Sequence, residues 1–259
     1  MDAVDVFIPY HRKDRHVLAY AVASAFRHLV PRPARVVCVG GDLPPEILAG
    51  IAAAGGERID ECSLAEIPHR SAMAEISVRG EVRTGWYYQQ FLKWGFRKLA
   101  KTKAYVVLDA DSILVAPLVL WADGKYVIDR TIEHHPPYFA TFRALLGWRP
   151  APADSFIINY QIIDVALLNA LIHEIEARAE GQVWHQRILG VIDRTEASAF
   201  SEFETYGYWL ADRHPGIFIS RPGRNHNTKV KYLPLRWWIN LRARFRGCTT
   251  VSYHQFRRD

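Results

Sequence analysis

Acidic side chains are missing from one long stretch of this chain. Between Arg213 and Arg258 there are 11 Lys and Arg and no Asp or Glu. The remaining residues carry 22 basic and 27 acidic side chains, so the formal net charge of +6 describes a mildly acidic body joined to a strongly basic C-terminal segment. That asymmetry points to an anionic partner: a phosphate-bearing ligand, a membrane surface or nucleic acid. Cysteine is scarce as well. Cys38, Cys62 and Cys248 are odd in number and lack metal-ligand spacing, which excludes a disulfide scaffold and predicts free thiols in a reducing compartment. No apolar run approaches the roughly 18–20 residues of a membrane-spanning helix. The opening MDAVDVFIPYHRKD starts with two acids instead of a basic-then-apolar leader, so the expectation is a cytoplasmic chain without a signal peptide. Repeats, low-complexity tracts and long linkers are also lacking. One domain over residues 1–259 is therefore expected, with a basic, aromatic-rich segment at about 213–259.

What is present reads as α/β. VDVFIPYH (4–11) and ARVVCVGG (34–41) are continuous apolar runs, and the segment between them places Val17, Tyr20, Ala21, Ser24 and Leu29 roughly on one helical face. GWYYQQFLKWGFRKLA (85–100) predicts the next helix and AYVVLDAD a central strand. Strands alternating with helices predict a doubly wound, mainly parallel sheet covered on both faces. Further on, WADGKYVIDRT predicts a short strand pair, SFIINYQIID a strand, and VALLNALIHEIEARAEG and FSEFETYGYWLADRHPG helices. HHPPYFATFRALLGWRPAPAD is rich in proline and aromatics and is assigned no element.

The stretch VVLDADSILV carries the chemistry. Buried strands do not carry unpaired carboxylates cheaply, yet Asp109 and Asp111 sit at the carboxyl end of a β run, where open parallel sheets bind ligands. If the strand continues, residues two apart share a side, and both carboxylates face one point in a cleft. A hard cation such as Mg²⁺ or Mn²⁺, held by carboxylates, water and substrate phosphates, suits that position. A strand-ending Asx turn is the competing account.

DVFIPYHRKD, RTGWYYQQFLKWG before VVLDADSILV, and SEFETYG near residue 201 together resemble a GT-A-type, metal-dependent nucleotide-sugar glycosyltransferase, close to bacterial sugar-transferase domains. The resemblance implies a mainly parallel sheet sandwiched by helices, Mn²⁺ or Mg²⁺ on the D-x-D, and sugar transfer from a nucleoside diphosphate to a glycan or lipid-linked acceptor in surface polysaccharide synthesis. It also implies a C-terminal histidine completing the metal shell, for which SYHQF offers His254. An inverting reaction needs a carboxylate base. Glu202 and Glu204 are the candidates, Glu202 favoured because Ser201 and Glu204 form a capping-box pattern. SEFETYG is not the plain acidic dyad of many such enzymes, so base and stereochemical course stay open.

Donor contacts are sought in Pro9, Tyr10 and His11 at the rim of the first strand, and in Arg83, Gln89 and Lys93 before the D-x-D. A solvated helix face competes for the latter. Asn159 and Gln161, two apart in an apolar run, are candidates for a sugar or acceptor pocket, with cross-strand hydrogen bonding as the alternative. His135, in a loop, is placed near the acceptor. KVKYLPLRWWINLRARFRG (229–247) interleaves cations with Trp237, Trp238, Leu241 and Phe245. This is a pattern of peripheral binding to anionic lipid, or of a basic helix packing on the core. No nucleic-acid fold signature accompanies these charges, which argues against that partner. A nucleotidyltransferase would carry a glycine-rich signature that FIPYHRKD lacks. A non-catalytic glycan- or membrane-binding module on the same fold is the rival from another class.

Overall fold

Apolar runs too short for a helix fold as strands, and apolar residues three or four apart fold as helices laid over them. The structure, a computed structural model, describes residues 1–150, 154–229 and 235–254. Strand β1 (Ala3–Pro9) leads into helix α1 (Arg15–His28), followed by β2 (Arg32–Gly40), α2 (Pro45–Ala53) and β3 (Glu57–Asp60). Next come α3 (Thr84–Gly95), β4 (Ala104–Leu108) and β5 (Ser112–Leu114). The second half holds β6 (Lys125–Arg130), α4 (Pro136–Leu146), β7 (Tyr160–Asp164), α5 (Val165–Glu176), α6 (Trp184–Val191) and α7 (Glu202–Arg213). It ends with β8 (Phe218–Pro222), β9 (Asn225–Thr228), α8 (Arg236–Phe245) and β10 (Thr250–Tyr253).

The central sheet has the order β7-β4-β1-β2-β3, parallel except for β7 at the edge. Val6 lies between Val36 and Val106. Helix α1 packs on β2 and α3 on β1, which explains why Val4–Pro9 is buried without alternation. The mixed α/β sandwich expected from the sequence is the observed architecture. Cys38, Cys62 and Cys248 are free thiols. Among the described residues no helix is long and apolar enough to cross a membrane.

Three local readings change. The stretch left without an element contains α4, which starts at Pro136-Pro137, where a missing N–H costs nothing. It ends at Gly147, whose φ of 78° needs a residue without a Cβ. The strand expected over SFIINYQIID is confined to Tyr160–Asp164, with Asp164 capping α5 through Ala166 N and Leu167 N. The strand expected over AYVVLDAD stops at Leu108. Asp109-Ala110-Asp111 is instead a turn closed by Ser112 N donating to Asp109 O at 3.0 Å.

That turn throws the chain into a second, small sheet of order β9-β10-β5. There β10 runs antiparallel to β5 and parallel to β9. Tyr253 N at the end of β10 donates to Asp111 O at 2.8 Å. The sheet thus returns the C-terminal segment to the aspartate turn.

Candidate functional site

Because β10 closes on β5, the residue after it stands beside the turn. His254 Nδ1 lies 3.0 Å from Asp111 Oδ2, and its Nε2 lies 3.1 Å from Asn227 Oδ1 on β9. Asn225 Nδ2 donates to the same Asn227 oxygen at 2.7 Å. The hydrogen bond to Asp111 leads in raising the His254 pKa above its ordinary value. Asp109 turns elsewhere: its Oδ1 is 3.0 Å from Lys93 Nζ. The extended strand expected to aim both carboxylates at one point is not formed, and each has its own partner, Lys93 for Asp109 and His254 for Asp111. The turn between β4 and β5 breaks the two-residue alternation on which that expectation rested.

Among the described residues no three His, Cys, Asp or Glu side chains stand gathered around a point that an ion would fill. The donors nevertheless suit a hard or borderline divalent ion, since Asp111 and His254 touch and Asp109 is two residues away. The buried carboxyl of Asp14, beyond the end of β1, is pushed up to about 6, by burial first, with the negative charges of Asp111 and Asp109 adding to it. Lys93 and Lys13 supply positive charge beside these acids, Lys13 opposing the upward shift of Asp14. Asp14 was not among the residues singled out by sequence, since nothing local marks it.

Lys93 is buried on α3 between two acids, with Nζ 3.0 Å from Asp109 Oδ1 and 2.8 Å from Glu202 Oε1. Its ammonium also sits 4.3 Å from the centre of the Phe203 ring. The solvated face that competed for Lys93 is not what the fold gives it. Nor is Nζ free for a diphosphate, because both acids hold it. Burial raises the pKa of Glu202 and Asp109, opposed in each by Lys93. Glu202 N, at the start of α7, is anchored on Gln90 Oε1 at 3.0 Å.

Glu204 goes to the other side of α7, as the spacing implied. Only half the capping box forms. Ser201 Oγ accepts from Glu204 N at 3.2 Å, but the Glu204 carboxylate accepts from Phe156 N at 2.6 Å and Ser155 Oγ at 3.2 Å instead of reaching back. Burial outweighs those donors and pushes this carboxyl up to about 7. Gly207 of the same motif has a packing reason, because a Cβ there would run into the ring of Phe156.

A polar pocket of about 480 Å³ opens beside the turn. Asp109, Asn159 and His254 line it together with Thr131, Glu133, Asn225 and Asn227. Neither Glu202 nor Glu204 is on its wall. Gln161 is not on it either: its Nε2 donates to Phe203 O on α7 at 3.3 Å within the core, a strand-to-helix bond that matches neither the pocket nor the cross-strand account. His135 also lies outside this wall, with Nε2 2.6 Å from Ser198 O and its ring against Tyr138. Asn225 and Asn227, two apart on β9, share one side of the strand, a pattern in sequence no different from that of a solvated strand face.

At the same carboxyl-end rim of the sheet, after β1, the Tyr10 hydroxyl donates to Gly41 O and receives Arg58 Nε at 3.4 Å. A Cβ on Gly40 would meet Tyr10 O at 2.6 Å, so the chain passes here only as glycine. Gln89 Nε2 donates to Pro9 O at 3.3 Å. His11 caps the turn before α1, and burial leads in lowering its pKa. Arg83 is tied to Ala197 O at 2.8 Å and Ser198 Oγ at 3.2 Å, a clamp between α3 and the approach to α7.

Comparison with solved structures defines the fold type. Mouse xyloside xylosyltransferase 1 in its apo form matches 96% of this chain and 97% of its own, at a TM-score of 0.50 and 15% identity. The galactosyltransferase LgtC, in complex with donor and acceptor sugar analogs, matches 98% of this chain and 90% of its own, at a TM-score of 0.50 and 12% identity. The fold is of the GT-A glycosyltransferase type. At the level of sequence the chain belongs to the family described as "Family of unknown function (DUF6492)", which matches residues 48–230. The matched stretch holds Asp109, Asp111, Glu202 and Glu204 and stops before His254. No curated protein sequence matches the chain.

Proposed function

We propose that this protein transfers a sugar from a nucleoside-diphosphate donor to a glycan or lipid-linked acceptor, as in surface-polysaccharide synthesis. The observation that carries the reading is the 3.0 Å contact between His254 and Asp111, made across 143 residues of sequence at the mouth of a polar pocket. Asp109, Asp111 and His254 would hold Mn²⁺ or Mg²⁺, which when bound supplies positive charge to the leaving diphosphate.

The chain's own residues do the rest. Lys93 fixes Asp109 and Glu202 in place and neutralises their repulsion. Tyr10 and its neighbours at the end of β1 offer an aromatic edge and backbone groups to the nucleotide. Asn159, Asn225 and Asn227 present amides to sugar hydroxyls, which hydrogen-bond without selecting charge. Sequence favours Glu202 as the base, but it is buried 2.8 Å from Lys93. Held there by Lys93 and absent from the pocket wall, it does not meet an acceptor hydroxyl seated in the pocket. The pocket's own carboxylates are Asp109 and Glu133. If the reaction inverts, Glu133 is the one on hand to take the acceptor proton.

Calorimetric titration with UDP, GDP and CDP, with and without Mn²⁺, tests the reading. Binding of one nucleotide that requires the metal and disappears in Asp111→Ala is expected. Absence of binding by any nucleotide in either condition would overturn it. Once a donor is known, the anomeric configuration of the product tests the inverting course.

A further inference from the structure

Helices α1 and α8 lie side by side over β5, the strand that begins one residue after Asp111. Between them runs a groove of about 450 Å³ that is separate from the polar pocket. Its floor is apolar, built from Ile113, Leu114, Val115 and Leu241. Its basic lining comes from Arg27 and His28 at the end of α1 and from Arg236 and Arg244 on α8. Among the described residues no carboxylate lines it, and neither α1, RHVLAYAVASAFRH, nor α8, RWWINLRARF, carries one.

Arg236 is the informative residue. Its guanidinium stacks on Tyr20, 3.3 Å from the ring centre. Its Nη1 is buried and finds no hydrogen-bond partner among the described residues. A buried, charged donor without an acceptor is costly, and in a basic groove without carboxylates an anionic oxygen is the acceptor that suits it best. The same field acts on His28, whose pKa is lowered by burial first and then by Arg27 and Arg244.

The rest of α8 fits a partner that is both anionic and apolar. Ile239 and Ala243 face a small core cluster with Val17, Val115 and Val251. The other side leaves Trp237, Trp238 and Phe245 60%, 63% and 83% exposed among arginines. Large aromatics interleaved with cations on an exposed helix suit the boundary between lipid headgroups and acyl chains. A soluble phosphate would use the arginines but leave the aromatics bare, and a nucleic acid, whose bases stack on exposed aromatics, would leave the apolar floor of the groove unfilled.

We propose that the α1–α8 face docks on an anionic phospholipid bilayer, with one lipid phosphate seated against Arg27, Arg236 and Arg244 and the adjoining apolar part of that lipid on the floor formed by Ile113–Val115 and Leu241. The docking is independent of the sugar-transfer reading, and either can fail alone.

Co-sedimentation of the full chain with vesicles tests it. Vesicles of phosphatidylcholine alone should bind weakly. Those containing about one-third phosphatidylglycerol should bind tightly at low salt and lose much of that binding at high salt. Each of R27Q, R236Q and R244Q should weaken binding about fivefold, the effect of one cation near an anionic surface. The pair R242Q/R246Q, which lies outside the groove, should weaken it less than R27Q/R236Q. Trp238→Ser, which removes no charge, should weaken it too, provided its melting curve matches that of the parent. Nucleotide titration should be unchanged in all of these variants.

Absence of binding to the acidic vesicles would overturn the proposal. Equal losses in the two double variants would overturn the groove as the seat of the lipid. Inorganic phosphate displacing the protein from vesicles at equal total ionic strength would reduce the groove to a free-phosphate site. Tight binding of a single-stranded oligonucleotide with no vesicle binding would assign the face to nucleic acid instead.

Discussion

Replacing Lys93 with methionine removes the one cation among the described residues within ion-pair distance of Glu202 while nearly preserving side-chain length. The Lys93 side chain is 9% exposed, that of Glu202 3%, and that of Asp109 30%. Glu202 would therefore be left charged in the interior, whereas Asp109 keeps partial access to water. Stranding a buried charge by removing its partner costs about 3–5 kcal/mol. The lost contact with the Phe203 ring adds at most about 1–2 kcal/mol, offset by no longer having to bury an ammonium. At roughly 2–4 °C per kcal/mol for a chain of this size, Lys93→Met should melt about 6–20 °C lower than the parent at pH 7. Combining it with Glu202→Gln removes the stranded charge, so the double variant should recover at least about 1 kcal/mol relative to Lys93→Met alone. Thermal and urea unfolding of the four proteins in the cycle measure both quantities. A Lys93→Met melting point within about 2 °C of the parent, together with additive single-variant effects, would falsify the view that Lys93 holds this buried cluster together.

Glu204 gives a pH signature. Its folded-state pKa of about 7 lies above the unfolded value, so its contribution to stability is fully present below about pH 4 and is lost as pH rises through 7. Glu204→Gln should therefore gain about 2–3 kcal/mol more over the parent at pH 8 than at pH 5, and urea unfolding showing a pH-independent difference would contradict the burial argument. Gly207→Ala should destabilise by at least about 1 kcal/mol. The clash with Phe156, an overpacking cost of about 1–3 kcal/mol, outweighs the helix-propensity gain of about 1 kcal/mol, and a raised melting point would show the opposite balance. His254→Ala should weaken metal-dependent nucleotide binding at least about tenfold and leave the melting point nearly unchanged, because this side chain is 30% exposed. Equal nucleotide affinity with and without the imidazole would remove His254 from the site.

Much of the architecture could be read from local pattern. The unbroken apolar runs of β1, β2 and β4 announce parallel strands covered on both faces, because such a strand has no solvent side to mark with polar residues. The periodicity of α1, α3, α5 and α7 was equally plain. Helix α4 escaped because prolines and aromatics look irregular when read singly. In place, the prolines simply start the helix and the aromatics face inward. At the site, Asp109 and Asp111 stood out because acids interrupting a β run are costly anywhere except at its end. The residues that join them did not. Asp14, Glu133 and Asn227 occur in ordinary polar surroundings, and no local signal separates a pocket wall from a surface.

By itself the sequence determined the alternation of strands and helices, the place of the two aspartates at the carboxyl end of β4, and the separation of an acidic body from a basic, aromatic C-terminal segment. All three follow from hydrophobic periodicity and charge, which act over a few residues. Only the tertiary structure decided where the side chains went. Lys93 left the solvated face that spacing allowed it and became the buried counter-ion of Asp109 and Glu202. His254 reached Asp111 because β10 pairs with β5. Arg236 came to face Arg27 across an apolar groove because α8 packs beside α1. Each of these is a contact between segments far apart in the chain, fixed by which strands pair and which faces pack, and no window of sequence contains both partners.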